Sequence, residues 1–575
     1  MSDRPDMRID FDVEIPMRDG TLLRCDIYRP AGDAPVPALL TRTPYDKRLV
    51  EMHSMGVNLR MALARGYAVI AQDVRGRFAS DGVFQMVPTQ AVEGPDGYDT
   101  IEWIARQPWC SGAVGMFGLS YLSLAQLMAA IERPPGLRAI VPEKTGNPAR
   151  AAVLLDSAMI VWAAQQAGDW LKKAIERGER RLEDAAIIET VLRDPQAAAR
   201  HLPLNEMPLM KIGALPGFQE MIDLFHSQGN LNIAAIRCPA LIIGGWYDIA
   251  PTDTAHIYST LQRRAGVETG FVFGPWDHLN NMSGLGETYF GPFSGSEAAQ
   301  MPSLVLDFFD RHLKGETERP APGARYFVMG ANEWRTGPSW PPESQLRALH
   351  LHSDGAANGV SGDGRLQAAS QPPGMKPDRY LYDPLDPVPS IGGRYFEGGG
   401  SRPGPFDQRR VEMRKDVLVY TSGSLERDID IAGSISLRLF VRCSTPDTDF
   451  VAKLCDVSPE GVSLNIVDEF FRCRWRDGYD KTALLEPGRT YEFEIDLGPV
   501  AHRFRPGHRL RLQVTSSAFP QFDRNMNTGH AIGVDTTGET ATVTVLHDAA
   551  HPSRLMLPVV AGDAHWSDWE HNARG

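Results

Sequence analysis

The chain has 575 residues, of which 42% are hydrophobic and 23% are charged, a composition typical of soluble globular proteins. We expect about two to four domains, because a single core rarely grows beyond about 250–300 residues. The formal net charge of −13 argues against nucleic acids and anionic membranes as partners, since both carry negative charge themselves.

The six cysteines are scattered, without a Cys-x-x-Cys pair or the spacing of a zinc site. We therefore expect reduced, mostly structural thiols, no metal and no cofactor. The first eight residues lack an apolar signal core, and no later apolar run approaches about 18 residues, the length of a membrane span. These features predict a cytoplasmic protein, and they leave the oligomeric state open.

The N-terminal part of the chain alternates between strand and helix patterns. An Asp-Gly turn at residues 18–20 joins two alternating runs, which predicts an antiparallel hairpin. The following strands and helices alternate, which predicts a parallel sheet with right-handed crossovers. The predicted strands are 9–15, 21–28, 38–41, 68–71, 114–118 and 139–142, and the predicted helices are 58–64, 94–106 and 122–131.

The run Val114-Gly-Met-Phe-Gly-Leu-Ser120 predicts a buried strand that ends at a serine, and a helix follows it. An α/β hydrolase holds its nucleophile on such a turn, with the hydroxyl exposed above the sheet and the next backbone N–H available to an oxyanion. Gly118 occupies one flanking position of the usual signature, whereas Leu122 stands at the second. An ordinary strand-to-helix turn would give the same partial pattern. Ser120 is the candidate nucleophile.

From residue 146 to about 237 helical stretches such as 170–193 predominate, which predicts an inserted helical cap. Strand patterns return at 240–248 and 270–278, with a helix predicted at 253–264 between them. Asp248 and His278 end these runs, and open α/β sheets place their sites at the carboxyl ends of strands. Taken alone, each residue is more often a turn aspartate or a structural histidine. The chain order Ser120, Asp248, His278 is the α/β-hydrolase order, so the three are the candidate triad.

After about residue 345 the alternating runs 434–442, 491–497 and 509–515 are separated by Gly/Pro turns, which predicts an antiparallel β-sandwich. A Gly/Pro-rich loop is predicted at 392–405. The predicted fold class is an α/β-hydrolase core with an inserted helical cap and a C-terminal β-sandwich. The predicted segments are 1–145 for the first part of the core, 146–239 for the cap, 240–345 for the second part of the core and 346–575 for the sandwich.

Short motifs along almost the whole chain carry a family resemblance. They are Pro16-Met-Arg-Asp-Gly20, Arg42-Thr-Pro-Tyr-Asp-Lys47, Asp73-Val-Arg-Gly76 with Ala79-Ser-Asp-Gly82, Gly118-Leu-Ser-Tyr-Leu122, Gly244-Gly-Trp-Tyr-Asp248, Gly274-Pro-Trp-Asp-His278, Phe308-Phe-Asp-Arg-His-Leu-Lys-Gly315, Thr448-Asp-Phe-Val-Ala-Lys453 and Arg505-Pro-Gly-His508. In this order they resemble the bacterial cocaine esterase family, of the CocE/NonD type, which is related to X-Pro dipeptidyl peptidases (S15), cephalosporin acylases and α-amino acid ester hydrolases.

The resemblance implies roles at named positions. Ser120, Asp248 and His278 match the family's triad. Tyr45 matches the tyrosine whose hydroxyl donates to the oxyanion, and the backbone N–H of Tyr121 is implied as the second donor. The resemblance also implies a jelly roll for the C-terminal domain, with a structural role against the catalytic domain. The alternative for that domain is a carbohydrate-binding module.

Two positions qualify the resemblance. The family's elbow usually has a glycine where this chain has Ser123, and we expect serine, as the next small residue, to be tolerated with a slight shift. The amino-ester hydrolases bind a substrate ammonium with a carboxylate cluster, for which Asp277 is a weak candidate, since a capping or solvated carboxylate explains it as well. Cap residues 148–217 do not match the acyl pocket of the family, so the substrate stays open.

The sequence therefore predicts a serine hydrolase that cleaves a carboxylic ester of a small molecule through an acyl-enzyme. Three alternatives stay open: an amide-cleaving acylase, an α-amino acid ester hydrolase or X-Pro dipeptidyl aminopeptidase, and a catalytically silent binding protein with the same fold. The complete candidate triad disfavours the silent protein.

Overall fold

The structure is a computed structural model of the chain and describes residues 7–52, 54–146, 157–214, 223, 231–396, 402–478 and 481–561. Residues 147–156, 215–222 and 224–230 of the predicted cap lie outside the described residues, as do residues 397–401 of the predicted Gly/Pro-rich loop. None of the described helices is long and apolar enough to cross a lipid bilayer.

Strands and helices alternate through the first half of the chain, as predicted. Within the described residues the strands here are β1 (Met7–Pro16), β2 (Leu22–Pro30), β3 (Val36–Thr43), β4 (Ala68–Asp73), β5 (Cys110–Leu119), β6 (Leu137–Glu143), β7 (Ala240–Gly245), β8 (Thr269–Gly274), β9 (Gly284–Leu285), β10 (Thr288–Tyr289), β11 (Ala324–Val328) and β12 (Glu333–Gly337). Strands β9 and β10 pair with each other, and the others form one sheet in the order β1-β2-β4-β3-β5-β6-β7-β8-β11-β12.

This sheet is parallel at its centre and antiparallel at its edges. Neighbours from β4 to β11 along the sheet order run parallel, and the predicted hairpin of β1 and β2 is confirmed. Every residue of β4 and of β7 is buried, as expected for parallel strands that helices cover on both faces. The carboxyl ends of β5 to β8 therefore meet along one edge, where an α/β hydrolase has its site.

Helices follow the strands and also build the cap. Within the described residues the α-helices are α1 (Leu59–Ala64), α2 (Gln90–Ala105), α3 (Tyr121–Ile131), α4 (Ser157–Glu176), α5 (Ala185–Arg193), α6 (Pro195–Ala199), α7 (Pro208–Lys211), α8 (Pro251–Gln262), α9 (Met301–Phe309) and α10 (Arg409–Glu412). The helical stretch predicted at 170–193 is wrong as one unit, because α4 ends at Glu176 and α5 begins at Ala185. Gly178 lies between them at φ +75°, a backbone conformation that cannot continue a right-handed helix.

The C-terminal part is the predicted β-domain. Within the described residues its strands are β13 (Ser344–His352), β14 (Arg365–Gln367), β15 (Asp378–Tyr382), β16 (Leu418–Thr421), β17 (Ile429–Cys443), β18 (Asp449–Val457), β19 (Ser463–Arg472), β20 (Tyr491–Phe504), β21 (Arg509–Thr515), β22 (Ala541–Leu546) and β23 (Arg554–Val560). Nearly all pair antiparallel, and β20 pairs with β17. The α/β core with a helical cap and a C-terminal jelly roll is confirmed, and we propose the predicted segment boundaries for these parts.

The β-domain contacts the segment that follows β7. The Arg394 guanidinium donates to the backbone carbonyls of Trp246, Leu497 and Pro499. The Tyr247 hydroxyl donates to the backbone carbonyl of Asn465. These buried hydrogen bonds connect the strands of the β-domain to the loop that carries Asp248, so the β-domain supports that loop.

Candidate active site

Ser120 lies in the sharp turn between β5 and α3. Its backbone adopts φ +61° and ψ −122°, which is costly for a residue with a side chain and persists only where the surroundings fix it. The Ser120 N–H donates to the Glu143 carbonyl at 3.0 Å, and the Ser120 carbonyl accepts the N–H of Ser123 at 2.9 Å. At Gly118, with φ +132°, an added Cβ would lie 2.7 Å from the Cβ of Leu122. Glycine at this position lets the helix approach the strand, which fixes the turn.

Asp248 and His278 lie side by side past the ends of β7 and β8. The Nδ1 atom of His278 lies 2.6 Å from Oδ1 of Asp248, and both side chains are buried. A carboxylate can only accept, so Nδ1 carries the proton and Nε2 is left as the basic nitrogen. Burial raises the pKa of the Asp248 carboxyl, but the charge and hydrogen bond of His278 and the charge of Lys144 outweigh it, and this pKa is below its ordinary value. Asp248 therefore stays ionised and can stabilise an imidazolium.

The sequence predicts that Asp248 and His278 end their strands, and this prediction is wrong. Strands β7 and β8 end at Gly245 and Gly274, and the backbone turns directly afterwards, with the Asp248 N–H donating to the Gly245 carbonyl at 3.2 Å. At Gly245 an added Cβ would lie 2.3 Å from the Trp276 carbonyl, so the two loops pack closely. Both side chains are thus carried by loops at the carboxyl edge of the sheet.

Tyr45 lies next to Ser120 on the loop after β3. Its hydroxyl oxygen is 3.1 Å from the indole Nε1 of Trp162 in α4, and the Ser120 side chain lies close enough to lower the pKa of Tyr45. The indole can only donate, so the Tyr45 oxygen accepts from it and the phenolic O–H remains for a second oxygen. Burial raises the pKa of Tyr45, so this proton is retained at neutral pH.

The loop that carries Tyr45 is anchored from below. Arg77 is buried, and its Nε donates to the Pro44 carbonyl at 2.9 Å while Nη1 donates to the Gln166 carbonyl of α4 at 2.9 Å. The Tyr45 N–H donates to Oγ1 of Thr43 at 2.9 Å. These contacts fix the tyrosine between the core and the cap, with its hydroxyl at the serine.

Tyr121 is the first residue of α3, and the first N–H groups of a helix have no acceptor inside the helix. Its side chain points into the core, where the hydroxyl donates to Oε1 of Glu93 at 2.9 Å and Arg42 donates to Oε2 of the same carboxylate at 2.7 Å. Burial and the Glu93 charge raise the pKa of Tyr121 well above its ordinary value. The tyrosine ring thus anchors the helix, while its backbone N–H lies directly after the serine.

Ser123 and Asp277, the two positions where the family resemblance is incomplete, both make hydrogen bonds. Ser123 is buried, and its hydroxyl shares a hydrogen bond with the hydroxyl of Thr145. Asp277 is buried rather than solvated, and Oδ1 accepts the backbone N–H groups of Leu279 at 2.8 Å and Asn280 at 2.5 Å. Asp277 therefore caps the turn after His278.

Three further residues surround the candidate triad and escaped the sequence analysis. Trp162 comes from the cap, and Phe396 packs on His278 with ring centroids 5.4 Å apart. Lys144 follows β6 and reaches the loop of His278. A signal existed for Lys144, since Glu-Lys-Thr directly follows a predicted strand beside the elbow strand. Trp162 lies in the predicted cap, where no motif places it. Phe396 lies in the predicted Gly/Pro-rich loop at 392–405, where the pattern gives no contact for a single side chain.

Comparisons with known proteins agree with this architecture. Residues 19–280 match the family model of the X-Pro dipeptidyl-peptidase (S15 family), and residues 319–556 match that of the X-Pro dipeptidyl-peptidase C-terminal non-catalytic domain. The cocaine esterase of Rhodococcus sp. (strain MB1 Bresler) is 38% identical over 576 residues, which cover 95% of this chain and 98% of that protein.

Two solved structures resemble nearly the whole chain. An aminopeptidase from a marine sediment archaeon, Thaumarchaeota archaeon, has a TM-score of 0.71 at 25% identity, covering 97% of this chain and 96% of its own. An α-amino acid ester hydrolase has a TM-score of 0.71 at 25% identity, covering 97% and 98%. The identity to the esterase, over almost the full length of both chains, shows the family. The chain belongs to the cocaine esterase family and is a serine hydrolase.

Proposed function

We propose that the chain cleaves a carboxylic ester through an acyl-enzyme formed on Ser120. The observation that supports this most strongly is the strained turn of Ser120, beside which the Tyr45 side chain lies. Strain at a partly buried serine on such a turn is typical of a nucleophile held ready to react. The paired Asp248 and His278 at the same edge of the sheet supply a base for it.

In this mechanism His278 accepts the proton of the Ser120 hydroxyl as Oγ attacks the ester carbonyl carbon. The carbonyl oxygen becomes an oxyanion, which the Tyr45 O–H and the Tyr121 N–H stabilise. The C–O bond to the alcohol then breaks, and His278 protonates the leaving alcohol. A water molecule, deprotonated by the same imidazole, hydrolyses the acyl-enzyme and restores Ser120. Asp248 keeps the imidazole in the required tautomer throughout.

The relatives include enzymes named for esters and for peptides, so the leaving group needs its own argument. An enzyme for α-amino substrates binds an ammonium with a carboxylate that is not already paired. Of the two carboxylates described above, Glu93 is paired with Arg42 and Tyr121, whereas Oδ1 of Asp277 accepts two backbone N–H groups and its Oδ2 is buried. Neither carboxylate is exposed to a bound ammonium. This favours an ester without a free α-amino group.

A panel of matched substrates tests the proposal. We expect p-nitrophenyl esters of small acyl groups to be hydrolysed, with kcat/KM at least about 100-fold above that for the matching p-nitroanilides. A free α-amino group on the same acyl chains should not raise kcat/KM. Faster cleavage of the anilides would indicate an acylase, and a strong gain from the α-amino group would indicate an aminopeptidase or amino-ester hydrolase. No turnover of any member would overturn the proposal.

A further inference from the structure

Lys144 is a buried lysine that no step above uses. It is the first residue after β6, and its side chain is fully buried. Its Nζ donates to the backbone carbonyl of His278 at 3.1 Å and to Oδ1 of Asn281 at 2.6 Å. One ammonium thus holds two points of the loop that carries the candidate base.

The backbone of Lys144 is itself held in a conformation that lysine rarely adopts. Its φ is +48°, a left-handed region that is costly for a residue with a side chain. The Lys144 N–H donates to the Ile243 carbonyl at 2.7 Å, and the preceding carbonyl, of Glu143, accepts the N–H of Ser120. The Glu143 side chain is fixed in turn by the Met55 N–H at 2.9 Å. Strain that persists at such a position points to a task for the side chain.

The next residue fastens the segment on its other side. Thr145 shares a hydroxyl hydrogen bond with Ser123 of α3, and its N–H and carbonyl both bond Oγ1 of Thr254 in α8 at 3.0 Å. The segment from Glu143 to Thr145 is therefore connected to the nucleophile turn, to the helix after Asp248 and to the His278 loop. The backbone of Lys144 is therefore held in place, so its ammonium can fix the His278 carbonyl and the Asn281 side chain.

The charges of three carboxylates act on the Lys144 ammonium: those of Asp248, Asp277 and Glu143. Burial lowers the pKa of Lys144, and these three charges oppose that effect. Oδ2 of Asp277 is buried and has no hydrogen-bond partner among the residues that the structure describes, so the ammonium is the charge that offsets it. A buried cation among acidic groups is costly to remove, because the anions stay behind uncompensated.

We propose that Lys144 is a positioning residue for His278: its ammonium holds the His278 carbonyl and Asn281, and so sets the imidazole relative to Ser120. The inference rests on the proposed function, in which His278 is the base. A displaced base lowers the rate of the chemical step more than it weakens substrate binding, since a misplacement of about 1 Å can cost about 100-fold in rate. Lys144 acts through His278 and does not touch the substrate.

The test uses three variants, which are Lys144→Met, Asn281→Ala and the combination of these two substitutions. Each is compared with the control variant Lys453→Met. Lys453 is the matched control, a buried lysine of the β-domain whose Nζ donates to Oε1 of Gln408 at 2.8 Å. Each protein is assayed with a p-nitrophenyl ester for kcat, KM and the pH dependence of kcat/KM, and its melting temperature is measured. Labelling of wild-type Ser120 by a fluorophosphonate, measured first, tests the proposed function separately.

We expect Lys144→Met to lower kcat about 10- to 100-fold with KM within threefold. The Asp248 carboxylate also loses the opposing charge of Lys144, so the acid limb of kcat/KM should move to higher pH. Lys453→Met should lower the melting temperature as much as Lys144→Met does, but it should leave kcat and the acid limb of kcat/KM unchanged. Asn281→Ala should lower kcat about three- to tenfold. The double variant should be no worse than Lys144→Met, because Lys144→Met already breaks the Lys144–Asn281 hydrogen bond.

Asn281 is only half-buried, so its variant decides the matter if Lys144→Met does not fold. The inference is overturned if kcat of Asn281→Ala equals that of the wild type, or if a folded Lys144→Met keeps kcat within threefold and an unchanged acid limb. If wild-type Ser120 is not labelled at all, the proposed function fails, and the inference about Lys144 fails with it.

Discussion

The hydroxyl of Tyr45 lies between the cap and the candidate nucleophile, Ser120. Trp162 donates to it at 3.1 Å, and the Ser120 side chain lies beside it. Tyr45→Phe should therefore lower kcat by roughly 10²–10³ with little change in KM, since an oxyanion donor acts mainly in the transition state. The indole N–H loses its acceptor, which should cost about 1 kcal/mol of stability. Steady-state kinetics and thermal unfolding measure both effects.

Tyr258→Phe is the matched control. The Tyr258 hydroxyl accepts the backbone N–H of Trp340 at 3.1 Å in the buried core. It should lose a similar amount of stability and keep kcat. A Tyr45→Phe variant with near-normal kcat and the same loss of stability as the control would show that Tyr45 is structural.

The carboxylate of Asp248 has one task in the proposed mechanism, which is to hold the proton on Nδ1 of His278. Asp248→Asn should lower kcat on the order of 10⁴, as a triad with the wrong tautomer does. The folded pKa of Asp248 is below its ordinary value, so its carboxylate contributes stability above about pH 4 and loses that contribution as the pH falls further. Kinetics at pH 7–8 and melting curves between pH 3 and 7 check both statements.

A buried carboxylate elsewhere provides the comparison. Asp310 accepts the Tyr67 hydroxyl at 2.7 Å, and Asp310→Asn should affect stability but leave kcat within twofold. If Asp248→Asn lost less than tenfold, the acid of the triad would have to be another residue.

At this scale the sequence predicted the residues that have a position in a motif. Ser120, Asp248 and His278 follow strand patterns in a recognisable order, and Tyr45 lies in a family motif. Lys144 was missed because a lysine at a strand end is usually a surface residue. Only the packing of three loops shows that its ammonium lies under His278.

The elbow formed by β5, Ser120 and α3 is the element on which the site depends. Ser123 lies in the first turn of α3 and replaces the glycine of the related family, and its hydroxyl bonds Thr145. We expected only a slight shift of the helix at Ser123, but the feature that matters at this position is a hydrogen bond. The hydroxyl of Ser123 instead joins α3 to the segment after β6.

Ser123→Gly should therefore destabilise the protein rather than restore a family ideal. Glycine costs about 0.5 kcal/mol in a helix relative to serine, and the lost hydrogen bond between two buried groups adds about 1–2 kcal/mol. Urea unfolding should show the sum. Ser259→Gly in α8, where the partly buried serine donates to the His256 carbonyl, should mainly show the cost of glycine in a helix. Equal losses in the two variants would mean that the Ser123–Thr145 bond contributes nothing.

Element bounds were predictable where local pattern and tertiary structure agree. The helix predicted at 122–131 is α3, which begins one residue earlier, and the run 509–515 is β21. The cap was less predictable, since the run 170–193 has helix formers on both sides of the break. Gly178 was the signal for that break, and a glycine inside a helical pattern does not by itself show its φ angle.

In the whole molecule the β-domain supports the catalytic core. Arg394 donates to Trp246, two residues before Asp248, and to Leu497 and Pro499 of β20. Arg394→Met would leave three buried carbonyls without this donor. We expect a loss of about 3 kcal/mol or more and, because the Asp248 loop loses support, a kcat lowered about tenfold. Melting temperature and kcat of the folded fraction measure the two effects.

Arg438 on β17 is the control, since it is partly exposed and pairs with Glu492 and Glu494. Exposed ion pairs contribute about 0–1 kcal/mol, so Arg438→Met should change neither quantity appreciably. A stable, fully active Arg394→Met would contradict a supporting role for the β-domain and return attention to the carbohydrate-binding alternative. The sequence predicted this domain from its alternating strands, but not Arg394, because its three acceptors are 103 to 148 residues away in the chain.

The central claim is that Ser120 is the nucleophile, and covalent labelling tests it most directly. A fluorophosphonate probe should react with the wild-type enzyme, and mass spectrometry of the digested protein should place the adduct on Ser120. Ser120→Ala removes one partly buried hydroxyl. The variant should fold normally, with no adduct and no ester turnover. An adduct on another residue, or labelling and turnover that survive in a folded Ser120→Ala, would contradict the account.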